Sequence, residues 1–206
     1  TGEDLGFRQT GVLYLANTPE RMARFEAWLP HARANGIDTR LLSRAEVGAR
    51  MAHSDTWAGG IFTASDARAE PWVAVPALAR AAVRAGVTIR EDCAVRRLDV
   101  AAGRVVGVVT ESGRIRADRV VLAGGAWSSL LARAEGITLR QLAVRSSVAA
   151  TVAMPEVYAG AAADSHYGFC RRPDGGYSVA PRSKHDFYIG PDAFRHFRHY
   201  IPQLKR

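Results

Sequence analysis

Apolar positions along this chain change period several times, and each change predicts an element. Residues 7–16, FRQTGVLYLA, alternate as a strand does. The next stretch places Met22, Phe25 and Leu29 on one face, at helical spacing. Thr18 suits its N-cap, Pro19 the first helical position and Gly36 the exit. Ser43 followed by Glu46 has the spacing of a capping box and predicts a second, shorter helix. Gly59 and Gly60 precede a short strand, Ile61 to Thr63. Pro71 opens a helix whose Val75, Leu78, Ala79 and Ala82 share a face, and VTIRED (87–92) follows as a strand. That strand–helix–strand unit has the length a parallel crossover needs.

From 94 to 123 the period shortens. AVRRLDV, RVVGVVT and RIRADRV are β-rich runs, and AAG and ESG separate them with hairpin turn chemistry. This predicts a meander that feeds a fully buried strand, Val120 to Ala123, and then a helix from about Ser128 to Glu135. The last third reads as a hairpin around Asp174-Gly175-Gly176, a strand in DFYIG, and an aromatic-rich helix that stops near Pro202. The predicted fold is mixed α/β. Residues 65–136 supply the crossover helix, meander and buried strand. Residues 1–64 and 137–206 join into one mainly antiparallel sheet with flanking helices.

At 48% hydrophobic and 23% charged residues the composition is that of a soluble globular domain. No apolar run approaches a membrane span, and no signal peptide opens the chain. A cytoplasmic setting is the default expectation. The net charge of +8 raises nucleic-acid binding as a possibility. The arginines are scattered along the chain, however, and only Lys184 and Lys205 are lysines, so no basic tract supports it. Cys93 and Cys170 have the spacing of neither a disulfide framework nor a zinc site. His196 and His199 lack a third ligand, so no metal is expected. Asp164, Ser165 and His166 are adjacent but lack the Gly-x-Ser-x-Gly elbow of a hydrolase, and no phosphate loop of a triphosphatase is present.

The informative stretch is VVLAGGAWSSLL, 120–131. A strand ending in glycines lets a ligand approach the backbone, because no Cβ intervenes. Backbone N–H groups at the following helix start suit a phosphate. A plain strand-to-helix turn with Trp127 plugging the core is the alternative.

This stretch resembles the strand and turn of FAD-dependent oxidoreductases of the D-amino-acid oxidase and sarcosine oxidase superfamily. AEPWVAVPALARAAVRAGVTIREDCAVRRL is similar to the helix–strand segment of the same family, and RRPDGGYSV…IG to its substrate-domain sheet. The resemblance implies FAD as cofactor. Val95 would contact its adenine side through the backbone, Ala123, Gly124 and Gly125 would lie along it, and Trp127 would lie nearby. Residues 1–64 and 137–206 would be two parts of a substrate domain, and 65–136 an auxiliary segment of the FAD-binding domain. The implied reaction is oxidation of the C–N bond of an amino acid or secondary amine, with hydride transfer to the flavin. Relatives that oxidise 2-hydroxy acids or glycerol phosphate keep those substrates open. A non-catalytic binding or subunit-assembly module, docking a partner subunit or another copy of the chain, is the alternative class. For substrate contact, strand alternation places Tyr167, Phe169 and Arg171 on one face, with His166, Cys170 and Arg172 on or near the other. Tyr167, Arg171 and Arg172 are the candidates there.

The sequence also departs from the family. It contains no Gly-x-Gly-x-x-Gly nucleotide turn and no Gly-x-Arg-Pro segment bearing a carboxylate-binding arginine. The chain thus reads as an internal piece of a flavoenzyme. By itself it is expected to bind FAD poorly, to turn over no substrate, and to self-associate through the helix 72–85 and the strand 120–123.

Overall fold

The computed structural model describes residues 2–52, 56–142, 144–182, 186–187 and 189–204. Two compact units emerge, Thr1–Val87 with Ser146–His185, and Thr88–Arg145 with Asp186–Arg206. These borders differ from the 64/65 and 136/137 borders expected from sequence spacing.

The first unit is built on a seven-stranded sheet. β1 (Val12–Ala16), β2 (Thr39–Ser43) and β3 (Gly59–Thr63) come from the first third of the chain. β8 (Ala149–Ala150), β9 (Ala161–Ala163), β10 (Tyr167–Arg171) and β11 (Tyr177–Pro181) come from the last third. The order is β2-β3-β1-β9-β10-β11-β8. Every pairing is antiparallel except β1 with β9, where Tyr14 faces Ala163. That parallel pair joins the two distant parts of the chain.

Alternation fixes the faces. Leu13 pairs with Phe62 on one side and Ala162 on the other, so all three project to one face. They form a core with Leu15, Leu42, Tyr158, Val47 and Met51. Val47 comes from α2 (Arg44–Gly48) and Met51 from just beyond it. On the opening helix, α1 (Pro19–Ala34), Leu29 and Ala32 are buried, and Met22 and Phe25 half-buried, as the sequence period predicts. The Thr18 hydroxyl accepts the Arg21 N–H at 3.3 Å and caps α1. The expected strand at 7–16 is shorter. Gly11 has φ +70, and a Cβ there would lie 2.3 Å from the Phe62 ring, so the chain bends before Val12. Gly59 and Gly60 lie inside β3 rather than before it.

The capping box at α2 forms in full. The Ser43 hydroxyl accepts the Glu46 N–H at 3.3 Å, and the Glu46 carboxylate accepts the Ser43 N–H at 2.8 Å. Ser43→Ala is expected to destabilise the chain by about 1 kcal/mol. A urea-unfolding midpoint checks this, and an unchanged midpoint would show that α2 is held by Val47 packing alone.

α3 (Pro71–Arg84) forms where expected but buries only part of the expected face. Ala77 is fully buried and Ala74 and Ala81 half-buried, whereas Val75 and Leu78 are exposed. Ala79 and Ala82 of the expected face are half-buried too, and the large apolar side chains are left outside. The expected strand at 87–92 is not formed, so the predicted crossover unit is incomplete.

In the second unit, β4 (Val95–Ala101), β5 (Arg104–Thr110) and β6 (Gly113–Arg116) form the predicted meander. The β4–β5 turn places Ala102 at φ 49 and Gly103 at φ 76, the mirror-image turn that suits strand twist. β7 (Val144–Arg145) pairs with β12 (Asp186–Phe187). α4 (Ser128–Ala134) follows a 3-10 turn at Gly125–Trp127. α5 (Pro191–Leu204) continues through Pro202 rather than stopping there, since a proline that close to the end removes only one hydrogen bond of the helix. Within the expected strand DFYIG, Tyr188 lies outside the described residues.

A second expected strand is also missing. Residues 120–123 are neither buried nor a strand: Val121 is 87% exposed, and no described strand pairs with this segment. Its β-propensity is high, but a strand needs a neighbour to take its backbone N–H and C=O groups. Cys93 and Cys170 are free thiols. Among the described residues no helix is long and apolar enough to cross a membrane, and no three ligand-type side chains form a metal cluster.

Candidate functional site

The extended run 120–124 forms one wall of a cavity of about 710 Å³ in the second unit. β4 and β5 contribute Val95, Leu98, Val105 and Val108. α4 and the turn before it contribute Trp127, Leu130 and Leu131, at the spacing of one helical face. Glu135 ties β4 to the end of α4 by accepting the Leu98 N–H at 2.7 Å. The β4–β5 register shifts between Val95 and Arg97, a bulge that frees the backbone at Arg96 beside the cavity.

Four of the five residues singled out from sequence line this cavity: Val95, Ala123, Gly124 and Trp127. Ala123, Gly124 and Trp127 belong to one short segment, and the fold brings Val95 of β4 to it. Trp127 is 73% exposed and stands on the rim, so it does not plug the core. Gly125 is set apart from the cavity. Its φ of +55 makes the turn into α4, and its carbonyl accepts the Gln141 side-chain N–H at 3.0 Å. Arg96 and Glu135 are the charged lining residues, and Arg96 is ion-paired with Glu111. The size and apolar walls suit a flat ring system. They offer little to a pyrophosphate, and α4 is only seven residues long, which leaves a small dipole for an anion.

The substrate-contact candidates fare differently. The Arg171 guanidinium lies 4.9 Å from the Tyr177 ring centroid and donates to the Met154 carbonyl at 3.1 Å. Arg172 is used up in its own hairpin, donating to the Tyr177 and Thr151 carbonyls and pairing with Asp174 at 2.7 Å. Both forks are thus engaged by backbone carbonyls, from the hairpin and from the segment at 151–154. Tyr167 remains 59% exposed at the start of β10. Ser165 and His166 do touch, at 3.2 Å, but the Asp164 carboxylate accepts the backbone N–H groups of His166 and Tyr167. No acid–base relay results. Burial works against ionisation of Asp164. Hydrogen bonds from Tyr167, His166, Asn17 and Trp57 outweigh it and hold the carboxyl below its ordinary range.

Comparison with known proteins decides the family. The profile of the FAD dependent oxidoreductase family matches residues 1–205. The chain belongs to this family. Mitochondrial sarcosine dehydrogenase of Mus musculus is 30% identical over 158 residues, which are 73% of this chain and 17% of that protein. D-amino acid dehydrogenase of Rhizobium rhizogenes is 32% identical over 143 residues, 68% of this chain and 34% of that protein. Among solved structures, the L-amino acid deaminase of Proteus myxofaciens, determined with anthranilate, superposes with a TM-score of 0.90 at 29% identity. It is covered over 99% of this chain and 47% of its own. The chain thus spans less than half of each of these relatives. As a member of an FAD-dependent family, it offers its apolar cavity as the place where the fit to a flavin is testable.

Sequence reasoning missed the inner wall, Leu98, Val108 and Leu130. A helical wheel started at Trp127 would have found Leu130 and Leu131. Nothing local marks Leu98 and Val108, which reach the cavity only through the β4–β5 pairing.

Proposed function

We propose that this chain is part of an FAD-dependent oxidoreductase that oxidises the C–N bond of an amino acid or an N-methyl amino acid. The observation that carries this reading is the convergence of Val95, Ala123, Gly124 and Trp127 on one apolar cavity. In this reading the cavity takes a flat part of FAD, with Gly124 giving close backbone approach and Trp127 covering the rim. When bound, FAD supplies the acceptor for the hydride that leaves the carbon beside the amine. This chain's own work is to hold, orient and desolvate. Residues 65–136 act as the auxiliary segment of the flavin-binding part, and 1–64 with 137–206 act as the substrate part, where Tyr167 is a candidate contact.

The relatives support the substrate class, since sarcosine dehydrogenase, D-amino acid dehydrogenase and L-amino acid deaminase all carry an amine beside a carboxylate in their named substrates. The test uses the flavin-loaded protein that carries this chain, mixed without oxygen with amino acids, N-methyl amino acids and a 2-hydroxy acid. Amine substrates are expected to bleach the visible flavin absorbance. Bleaching by the 2-hydroxy acid alone would overturn the reading.

A further inference from the structure

Arginines that look scattered in the sequence are gathered by the meander. Leu98 and Val108 stand opposite each other and line the cavity, so alternation turns their neighbours to the other, outer face of the sheet. Two rows cross that face. Arg97, Val109 and Arg114 make one, and Asp99, Gly107 and Arg116 make the next. Arg104 precedes Val105, which also lines the cavity, and so falls on the outer face as well. All four arginines are exposed. The two outer strands thus carry long charged side chains, while β5 between them carries the half-buried Val109 and the buried Gly107. The result is a shallow trough along β5 with guanidiniums on both sides.

Little of this charge is spent within the protein. Arg114 lies 3.7 Å from the Asp99 carboxylate, and Arg97, Arg104 and Arg116 have no ion pair among the described residues. Arg96, in the bulge beside the cavity, pairs with Glu111, so those two cancel. Even with Asp118, just past β6, counted in, four guanidiniums meet only two carboxylates. Strand geometry sets Arg97 and Arg114 about 10 Å apart, and Arg114 and Arg116 about 7 Å apart. These separations are close to the screening length of about 8 Å at physiological salt, so the cations repel one another and an anion laid between them relieves the repulsion.

We propose that the outer face of β4–β6 is a docking surface for an extended, acidic segment of a partner protein. Gly107 and Val109 give the backbone of such a segment a low floor, and its Asp and Glu side chains reach the arginines on either side. Planar guanidinium forks hold carboxylates by paired hydrogen bonds. Two other polyanions fit less well. Residues 95–116 contain no aromatic side chain, so nothing on this face stacks on bases or anchors in a lipid interface. The surface lies on the side of the sheet away from the cavity, and the proposal does not rest on the flavin reading.

The probe is fluorescein-labelled octaglutamate, and a neutral Gln-Ser peptide of the same length is the control. Fluorescence anisotropy with the flavin-loaded protein that carries this chain reads the binding. Octaglutamate is expected to bind in low salt and to weaken severalfold as salt rises, and the neutral peptide not to bind. Arg97→Gln combined with Arg116→Gln is expected to weaken octaglutamate by about fivefold. The same pair changed to Lys keeps the charge but not the forks, should fall between, and serves if the glutamine variant does not fold. Arg24→Gln combined with Arg33→Gln removes equal charge from exposed positions on α1 and should leave binding unmoved. Octaglutamate that fails to bind, or that loses as much affinity to the α1 changes, overturns the proposal. So does an eight-residue thymidine oligonucleotide, or a vesicle of phosphatidylglycerol and phosphatidylcholine, that binds more tightly through Arg97 and Arg116. Weaker binding of both supports the acidic protein segment.

Discussion

Gly124→Val is expected to leave the chain folded while the flavin-loaded protein loses flavin affinity by about tenfold to a hundredfold. The backbone at Gly124 has no need of glycine for its own sake. A Cβ there would meet Ser128 Oγ at 3.5 Å, Ser128 N at 3.7 Å and Leu122 Cδ1 at 3.8 Å, all ordinary contacts. The two added methyl groups instead intrude on the apolar cavity that Val95 and Trp127 share. Gly125→Val gives the contrast. No atom lies within 4 Å of a Cβ at that position, but its φ of +55 strains any β-branched residue, so stability falls by about 1 kcal/mol or more. Flavin content per polypeptide, measured beside a thermal melt, separates the two effects. Gly124→Val with normal flavin content would remove this cavity from the cofactor site.

The second large effect is expected at Tyr177. Its hydroxyl accepts the N–H groups of Val157 and Tyr158 at 2.8 and 3.1 Å and donates to the Tyr158 carbonyl at 3.0 Å. The residue is 3% exposed and packs edge-on against Phe169, with ring centroids 5.6 Å apart. Tyr177→Phe keeps that ring contact and strips hydrogen-bond partners from three backbone groups. Leaving buried polar groups unmatched costs about 1–3 kcal/mol each, and partial rescue by water brings the sum to about 3 kcal/mol. In a chain of this size that lowers Tm by about 10 °C. A fall of less than about 2 °C would show that the loop at 157–158 opens to water without the hydroxyl.

Sequence by itself determined what depends on a few consecutive residues. Thr18 and the Ser43–Glu46 pair cap their helices, Ala102-Gly103 turns the meander, and Asp174-Gly175-Gly176 turns the last hairpin. These work through bonds and φ values within four residues, so they survive any arrangement of the rest. The order of motifs around Gly124 also carried the family and its cofactor. Only the tertiary structure decided which face each element buries. The α3 pattern named Val75, Leu78, Ala79 and Ala82 as the inner face, yet Ala77 is the residue buried in full and Val75 and Leu78 are exposed. Val120 to Ala123 have the composition of a buried strand and become the wall of a cavity, because composition cannot supply a pairing partner. Arg171 and Arg172 reach the carbonyls of Met154, Thr151 and Tyr177, two of which come from outside the hairpin and are brought near only by the fold. Residues 12–14 and 161–163 lie in opposite thirds of the chain, and only the parallel pairing of β1 with β9 brings them together. A burial pattern reads out the surface that an element meets, and that surface is made by residues far away in the chain.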